Sequence, residues 1–182
     1  NGSLRYRDVE IQSDNFAAYL REVLGLKPGD RVAVQMPNTL SYPVVSFGIL
    51  KAGLVLVNTN PLYTAAEMAH QFKDSGAKAL VITDMFADRL PEVLPQTEIE
   101  TVVTVKITEF FTPIVAGVIR LVQKVWSRTL PSITVPHTPF QEALKQGERR
   151  CSRAQAEAYL REVKSETLAL LQYTGGTTGV SK

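Results

Sequence analysis

Short apolar runs recur along the first half of the chain and alternate with segments of helical periodicity. Each run is rich in aliphatic residues, lacks polar alternation and is bounded by turn residues, which is typical of strands covered on both faces. The predicted strands cover residues 31–36, 54–57, 79–83 and 101–105. Strands that alternate with helices predict an α/β fold, with a largely parallel sheet flanked by helices.

Apolar positions three and four residues apart predict the helices between these strands. A short strand at 4–6 is expected before the first helix. Thr39 or Ser41 is expected to cap the second helix, which runs to about Lys51. The other helices are expected at residues 7–23, 64–74, 85–94 and 140–150. Residues 152–166 are interpreted as a charged connector, followed by a buried strand at 168–171.

The segment 110–129 has a different pattern and is interpreted as an amphipathic helical insert. On a helix, Arg120, Lys124 and Arg128 form one stripe, and the apolar residues, including Trp126, lie opposite. All charges in this segment are positive. A basic amphipathic helix that carries an aromatic residue is typical of an anionic membrane interface. The alternative is a surface helix that packs its apolar face on its own domain.

Residues 173–182 follow the last predicted strand and combine glycines, hydroxyl side chains and a lysine. Glycine lets successive backbone N–H groups converge on one anion, and hydroxyl and ammonium groups add donors. The candidate phosphate-binding residues are Thr174, Gly175, Gly176, Thr177, Thr178, Gly179 and Lys182. The spacing fits neither a Walker A loop nor a Gly-x-Gly-x-x-Gly turn. A Gly/Thr turn without a ligand is the alternative.

The composition indicates a globular domain and argues against several classes of function. Hydrophobic residues make up 45% and charged residues 21% of the 182 positions, which is typical of a globular domain. A formal net charge of +2 is too small to indicate nucleic-acid binding. The single Cys151 excludes an intrachain disulfide, and the two histidines lack metal-site spacing, so no metal ligands are predicted. The missing initiator methionine and the terminal loop lead us to expect a fragment of a longer protein.

Three stretches together resemble the adenylate-forming enzymes, the superfamily of acyl-CoA synthetases, luciferases and peptide-synthetase adenylation domains. Residues 173–182 resemble the family's phosphate loop, with Gly175 in place of a serine and Ser181 in place of a proline. Residues 4–9 and 50–57 resemble its first two core motifs, in the same order. Within the superfamily, residues 171–179, residues 58–64 and the basic insert are most similar to bacterial long-chain fatty-acid–CoA ligases.

The resemblance implies that the chain is the front part of the large N-terminal α/β domain of such an enzyme. It implies ATP-dependent formation of an acyl-adenylate from a long-chain fatty acid, then transfer of the acyl group to coenzyme A, with release of pyrophosphate and AMP. The loop would hold the β- and γ-phosphates, Lys182 would add catalytic positive charge, and Mg²⁺ would bridge the phosphates. The remaining nucleotide, acyl and coenzyme A contacts would lie beyond Lys182, so residues 1–182 alone are expected to be inactive.

The expected partners are ATP, a fatty acid and coenzyme A, with peripheral membrane contact through Arg120, Lys124, Trp126 and Arg128, and a homodimer. The expected location is the cytoplasm, at the inner face of the membrane. Two alternatives remain open. One is a ligase for another carboxylic acid, and the other is a non-catalytic α/β interaction module.

Overall fold

The computed structural model of the chain describes residues 2–125 and 131–174. In this part of the chain, six strands form one sheet in which every neighbouring pair is parallel. The order across the sheet is β5-β4-β3-β1-β2-β6. The strands are β1 Arg31–Gln35, β2 Val55–Asn58, β3 Ala77–Thr83, β4 Thr101–Val105, β5 Thr138–Pro139 and β6 Leu170–Gln172. The predicted α/β class and the four predicted internal strands are confirmed.

Helices precede and connect the strands. They are α1 Tyr6–Ala18, α2 Ser41–Lys51, α3 Ala65–Ser75, α4 Leu90–Val93, α5 Pro113–Val125, α6 Phe140–Glu148 and α7 Arg153–Glu162. A π-helical turn, Tyr19–Val23, extends α1, and short 3₁₀ turns, Asp84–Arg89 and Leu94–Gln96, flank α4. The single helix predicted at 85–94 is therefore split, with Pro91 and Pro95 near the starts of its second and third parts.

Among the described residues, the core forms two apolar clusters, and alternate strand residues contribute to each. Val32 and Val34 of β1 belong to the cluster formed with α1, α2 and α6. Ala33, between them, belongs to the cluster formed with α3 and α4. Because successive strand residues point to opposite faces, the two clusters lie on the two sides of the sheet. This explains why the internal strands lack polar alternation.

Helix α3 begins and ends as predicted. The Thr64 hydroxyl accepts a hydrogen bond from the Glu67 backbone N–H at 3.4 Å, and the Glu67 carboxylate accepts one from the Thr64 backbone N–H at 2.7 Å. Gly76 follows the helix with a φ of 61°, a left-handed conformation that favours glycine. These caps orient α3 on the sheet.

The predicted cap of α2 is wrong. Leu40 is the N-cap and already has helical torsion angles, with φ −62° and ψ −21°, and no side chain caps the helix. Ser41 is therefore the first helical residue. The Thr39 hydroxyl is buried without a hydrogen-bond partner among the described residues.

The strand predicted at 4–6 is also wrong. The Asp8 carboxylate accepts a hydrogen bond from the Arg5 backbone N–H at 3.0 Å, so the chain turns into α1 at Tyr6. Because Asp8 in the first turn of the helix binds the backbone N–H of the N-cap residue Arg5, the extended backbone ends at Arg5.

Two further corrections concern the last third of the described chain. The charged segment 152–166 contains α7, and the Ser152 hydroxyl caps it by accepting a hydrogen bond from the Gln155 backbone N–H. The strand predicted at 168–171 exists as β6 but is not buried, since Leu168 is 50% exposed and Leu170 42% exposed. Strand β6 lies at the edge of the sheet and, in the described part of the chain, pairs on one side only.

Candidate functional site

The carboxyl ends of β1, β2 and β6 lie together because the three strands are parallel neighbours. The segments that leave these ends surround a crevice of about 440 Å³. Its walls include Asn38, Tyr42, Asn58, Asn60 and Gln172. Open parallel sheets bind ligands at this edge, outside the carboxyl ends of the strands.

The predicted phosphate loop leaves from this crevice. Strand β6 ends at Gln172, Tyr173 lines the crevice, and Thr174 is exposed directly after it. The other predicted phosphate-binding residues lie outside the described residues; they are Gly175, Gly176, Thr177, Thr178, Gly179 and Lys182. The structure therefore describes the entrance of the loop, and the phosphate contacts stay a prediction.

A chain of side-chain hydrogen bonds crosses the crevice and ends at this entrance. The Tyr42 hydroxyl donates to Asn58 Oδ1 at 3.0 Å, and Asn58 Nδ2 donates to Gln172 Oε1 at 3.1 Å. Gln172 Nε2 in turn donates to the backbone carbonyl of Tyr173 at 3.4 Å. This hydrogen-bond relay, formed by Tyr42, Asn58 and Gln172, connects α2, β2 and β6.

Tyr173 has a second attachment, on the opposite side of the sheet. Its ring packs at the edge of the α3–α4 cluster, and its hydroxyl donates to Asp74 Oδ2 of α3 at 2.5 Å. Partial burial and then this carboxylate raise the pKa of Tyr173 to about 12. The phenol therefore stays protonated at neutral pH and stays a donor.

Two fully buried glutamines hold the loop that follows β2. Gln71 Nε2 donates to the carbonyl of Asn58 at 2.8 Å, and Gln35 Nε2 donates to the carbonyl of Asn60 at 3.2 Å. Buried amides with such partners fix the backbone they contact. The sequence analysis missed these residues. The available signal was a glutamine at the end of the valine-rich strand β1 and another inside the apolar pattern of α3.

Helix α5 faces its own domain with polar residues. Arg120 donates to Asp84 Oδ2 at 2.9 Å, and Asp84 is almost fully buried. Gln123 is buried, and its Nε2 donates to the sulfur of Met85 at 3.4 Å. Arg120, one of the four predicted membrane-contact residues, is therefore engaged in an ion pair within the domain.

The opposite side of α5 is apolar and exposed. Ile114, Val118, Leu121 and Val125 are spaced along one face and are 82%, 58%, 62% and 67% exposed. We call these four residues the outer stripe of α5. Packing of the apolar face on the domain, the alternative considered for this segment, is not seen in the described residues. The side chain of Lys124, and residues Trp126 and Arg128, lie outside what the structure describes.

A second, more apolar pocket lies between the segment before α2 and the segment before α5. Its volume is about 690 Å³, and residues 37–43, Ile107, Phe110 and Phe111 form most of its wall. Asn38 and Tyr42 line both this pocket and the polar crevice, so the two adjoin. Apolar and polar binding volumes are thus adjacent at one end of the sheet.

The described residues hold neither a metal cluster nor a membrane-spanning helix. Within 2–125 and 131–174, no group of three or more His, Cys, Asp or Glu side chains is arranged to hold a metal ion. In that same part of the chain, no helix has the length and apolar character needed to cross a bilayer.

The chain is similar in sequence to curated proteins over nearly its whole length. A long-chain-fatty-acid–CoA ligase from Salmonella typhimurium is 44% identical over 181 residues, which are 98% of this chain and 31% of that protein. The chain thus spans about a third of the length of the curated relatives it matches.

Solved structures agree with this fold. A long-chain-fatty-acid-CoA ligase from Archaeoglobus fulgidus superposes with a TM-score of 0.68 at 22% identity, covering 98% of this chain and 30% of that one. A benzoate CoA ligase from Burkholderia xenovorans gives a TM-score of 0.54 at 29% identity, covering 57% of this chain and 21% of that one. The family model described as AMP-binding enzyme matches residues 1–182. With the sheet edge and its loop, this match confirms the resemblance: the chain belongs to the AMP-binding enzyme family.

Proposed function

We propose that the intact protein is a long-chain fatty-acid–CoA ligase that works through an acyl-adenylate. The observation that carries the proposal is the direct continuation of β6 into the glycine- and threonine-rich residues 173–182, at the carboxyl edge of a parallel sheet. The 44% identity to a bacterial ligase over nearly the whole chain supports this choice within the family.

In the proposed first step, a carboxylate oxygen of the fatty acid attacks the α-phosphorus of ATP, and the bond to the pyrophosphate oxygen breaks. The backbone amides of 175–179 and the hydroxyls of Thr174, Thr177 and Thr178 hold the β- and γ-phosphates, and Lys182 neutralises charge on the leaving pyrophosphate. In the second step, the coenzyme A sulfur attacks the acyl carbonyl carbon and releases AMP.

We propose that Mg²⁺ enters with the triphosphate. The described residues offer no cluster of carboxylates for it. Mg²⁺ keeps several waters and binds phosphate oxygens readily, so the nucleotide itself supplies ligands. No step above depends on a metal contact from residues 2–125 or 131–174.

ATP–pyrophosphate exchange in the intact protein tests the proposal. Exchange should be strong with long-chain fatty acids and weak with short-chain acids and benzoate, because longer alkyl chains bury more apolar surface. Preferential exchange with benzoate would favour the other-acid alternative. Absence of exchange with every acid would favour the non-catalytic module.

The role of Lys182 has a separate test. Lys182→Ala should slow adenylation at least about tenfold, because it removes a charge from the developing pyrophosphate. Binding of the fatty acid should change far less. Lys164→Ala, at an exposed position before β6, is the matched control. Equal losses in adenylation and fatty-acid binding would contradict the phosphate role.

We further propose that the outer stripe of α5 lies in an anionic membrane interface at the inner face of the cytoplasmic membrane. The stripe is exposed, and the segment 110–141 contains no acidic residue. Lys124 and Arg128 belong to the same segment, and Trp126 suits the interfacial region. Arg120, in contrast, holds the helix to Asp84. A membrane site would suit a substrate that partitions into lipid.

Vesicle binding tests this surface. The double variant Ile114→Ser and Leu121→Ser should weaken binding to phosphatidylglycerol vesicles about tenfold or more, because two apolar side chains leave the interface. Leu62→Ser, at an apolar residue 78% exposed elsewhere, is the control. Unchanged vesicle binding together with loss of a dimer would assign the stripe to the expected homodimer instead.

A further inference from the structure

The entrance of the phosphate loop is held from both sides of the sheet. Asn58 and Gln172 are register partners on the parallel strands β2 and β6. Gln172 contacts Asn58, which contacts Tyr42 of α2, on the side of the α1, α2 and α6 cluster. The next residue, Tyr173, contacts Asp74 of α3, on the side of the α3–α4 cluster.

The hydrogen-bond relay is directional. The Tyr42 hydroxyl donates to the carbonyl oxygen of the Asn58 amide, which leaves the Asn58 NH₂ group to face Gln172. This sets the Gln172 amide with its oxygen toward Asn58 and its NH₂ toward the Tyr173 carbonyl. The Asn58 carboxamide accepts one of these hydrogen bonds and donates the other. Neither leucine nor aspartate can replace both bonds.

Hydrogen bonds hold the backbone at Asn58 and at the residue after it, so the middle residue of the relay has a fixed position. Its carbonyl accepts from the buried Gln71 amide, and the N–H of the next residue, Thr59, donates to the Val34 carbonyl at 2.9 Å. Strand β6, in contrast, has three residues and, among those described, pairs with β2 only; Leu170 and Gln172 are exposed and Leu171 is half-buried. The position of the loop entrance therefore depends on side-chain contacts more than on burial.

We propose that Asn58 and Asp74 are positioning residues for the triphosphate of ATP: from opposite faces of the sheet they hold residues 172–173, from which the phosphate loop begins. This inference rests on the proposed function. Neither residue contacts substrate in the proposal; both act through the backbone that follows β6.

The main experiment measures steady-state ATP–pyrophosphate exchange in the intact protein. Asn58→Leu and Gln172→Leu should each raise the KM for ATP about tenfold and leave the KM for the fatty acid within about twofold. The double variant should lose less than the two single losses combined, because both substitutions remove the bond between Asn58 and Gln172. Gln96→Leu, the same amide-to-alkyl change at an exposed remote site, should leave both constants unchanged.

Two substitutions of Asp74 test its hydrogen bond with the Tyr173 hydroxyl. Asp74→Asn keeps an oxygen acceptor for the Tyr173 hydroxyl and should keep the KM for ATP within about twofold. Asp74→Leu removes the acceptor and should raise that KM about fivefold or more. Thermal unfolding of every variant checks that the protein is folded.

The possible outcomes distinguish a failure of the proposed ligase function from a failure of the positioning role of Asn58 and Asp74. If the unmodified protein exchanges pyrophosphate with no carboxylic acid, the proposed function fails. If it exchanges normally but the folded Asn58 and Asp74 variants keep their KM for ATP, or lose ATP and fatty acid equally, the positioning role fails and the contacts are merely structural. Additive losses in Asn58→Leu and Gln172→Leu would likewise overturn the relay.

Discussion

Helices α5 and α6 are both amphipathic, yet they face the domain in opposite ways. Helix α6 buries Phe140, Ala143 and Leu144 against the α1 side of the core. Helix α5 exposes its apolar outer stripe and turns Arg120 and Gln123 inward. The same kind of sequence pattern therefore leads to two different surfaces.

The difference lies in what each helix meets. Helix α6 crosses α1 closely enough that its Gly147 lies against the α1 backbone, and the Phe140 ring packs edge-on against Phe16 at 5.4 Å. Helix α5 instead meets the buried carboxylate of Asp84, which needs a cation. A charge buried in the domain thus selects the polar face of α5. An amphipathic pattern shows that a helix has two different faces, but the groups that the helix packs against decide which face is buried.

The largest effect is expected at Phe140. Phe140→Ala should lower the free energy of unfolding by about 3–5 kcal/mol, because it leaves a cavity between α6 and α1. Leu121→Ala in α5 should change it by less than about 0.5 kcal/mol, because that side chain is exposed. Urea unfolding of the purified protein measures both. Similar losses would show that the outer stripe is covered in the intact protein.

The glycines of α5 and α6 offer a matched pair. A Cβ at Gly147 would lie 1.8 Å from the Asn15 carbonyl oxygen, whereas a Cβ at Gly117 would meet no atom of the described residues within 4 Å. Gly147→Ala should therefore destabilise by about 2–3 kcal/mol through overpacking. Gly117→Ala should stabilise by up to about 1 kcal/mol, because alanine favours the helix. The contrast fails if both substitutions shift the melting temperature in the same direction.

The ion pair that holds α5 should have a smaller effect. Arg120→Met leaves the Asp84 carboxylate buried without its cation and should cost about 1–2 kcal/mol, since Arg120 is partly exposed. Adding Asp84→Asn should recover part of that loss, because the uncompensated charge is removed. Chemical unfolding of the single and double variants checks this. A double variant less stable than the single one would be inconsistent with the account.

The smallest effect concerns Glu109, which precedes α5 and hydrogen-bonds to Gln141 of α6. Burial raises the pKa of Glu109 above its usual value. Because this pKa is higher in the folded protein than in the unfolded chain, the Glu109 carboxyl stabilises the fold at low pH, and that stabilisation is lost as pH rises through the pKa of the folded protein. Glu109→Gln should therefore gain stability over the unmodified protein at pH 7, and the gain should shrink at pH 4. Melting temperatures at both pH values measure this difference.

Much of the sheet was predictable from local patterns. The runs at 31–36, 54–57, 79–83 and 101–105 are apolar because both faces are covered, and each became a strand within about two residues. The bounds of α3 were predictable within one residue because helix starts and stops are set by residues within one turn. The caps of α2 failed because Leu40 adopts a helical backbone, which neither neighbouring hydroxyl reveals.

The errors concern contacts made across the chain. Residues 168–171 form an apolar run, but Leu168 and Leu170 are exposed because, among the described residues, β6 has a neighbouring strand on one side only, and neighbouring strands are a property of the whole sheet. Helix α7 was missed because four of its ten residues are charged and most of its apolar residues are alanines, which mark a buried face only weakly. Asp84 contacts the inward face of α5, and Asn58 and Asp74 contact the residues at the loop entrance. The loop sequence predicted phosphate chemistry, whereas its supports were invisible without the fold.

The relay that ends at Gln172 also has a consequence for synthesis. Asn58 and Gln172 are 114 residues apart in the chain, and their strands become neighbours only through that long connection. Contacts of such separation form late, since loop closure must precede them. As the chain emerges from the ribosome, β1 and β2 can pair well before β6 exists. Nascent chains should thus acquire a folded core first and form the entrance of the loop, at residues 172–174, only afterwards.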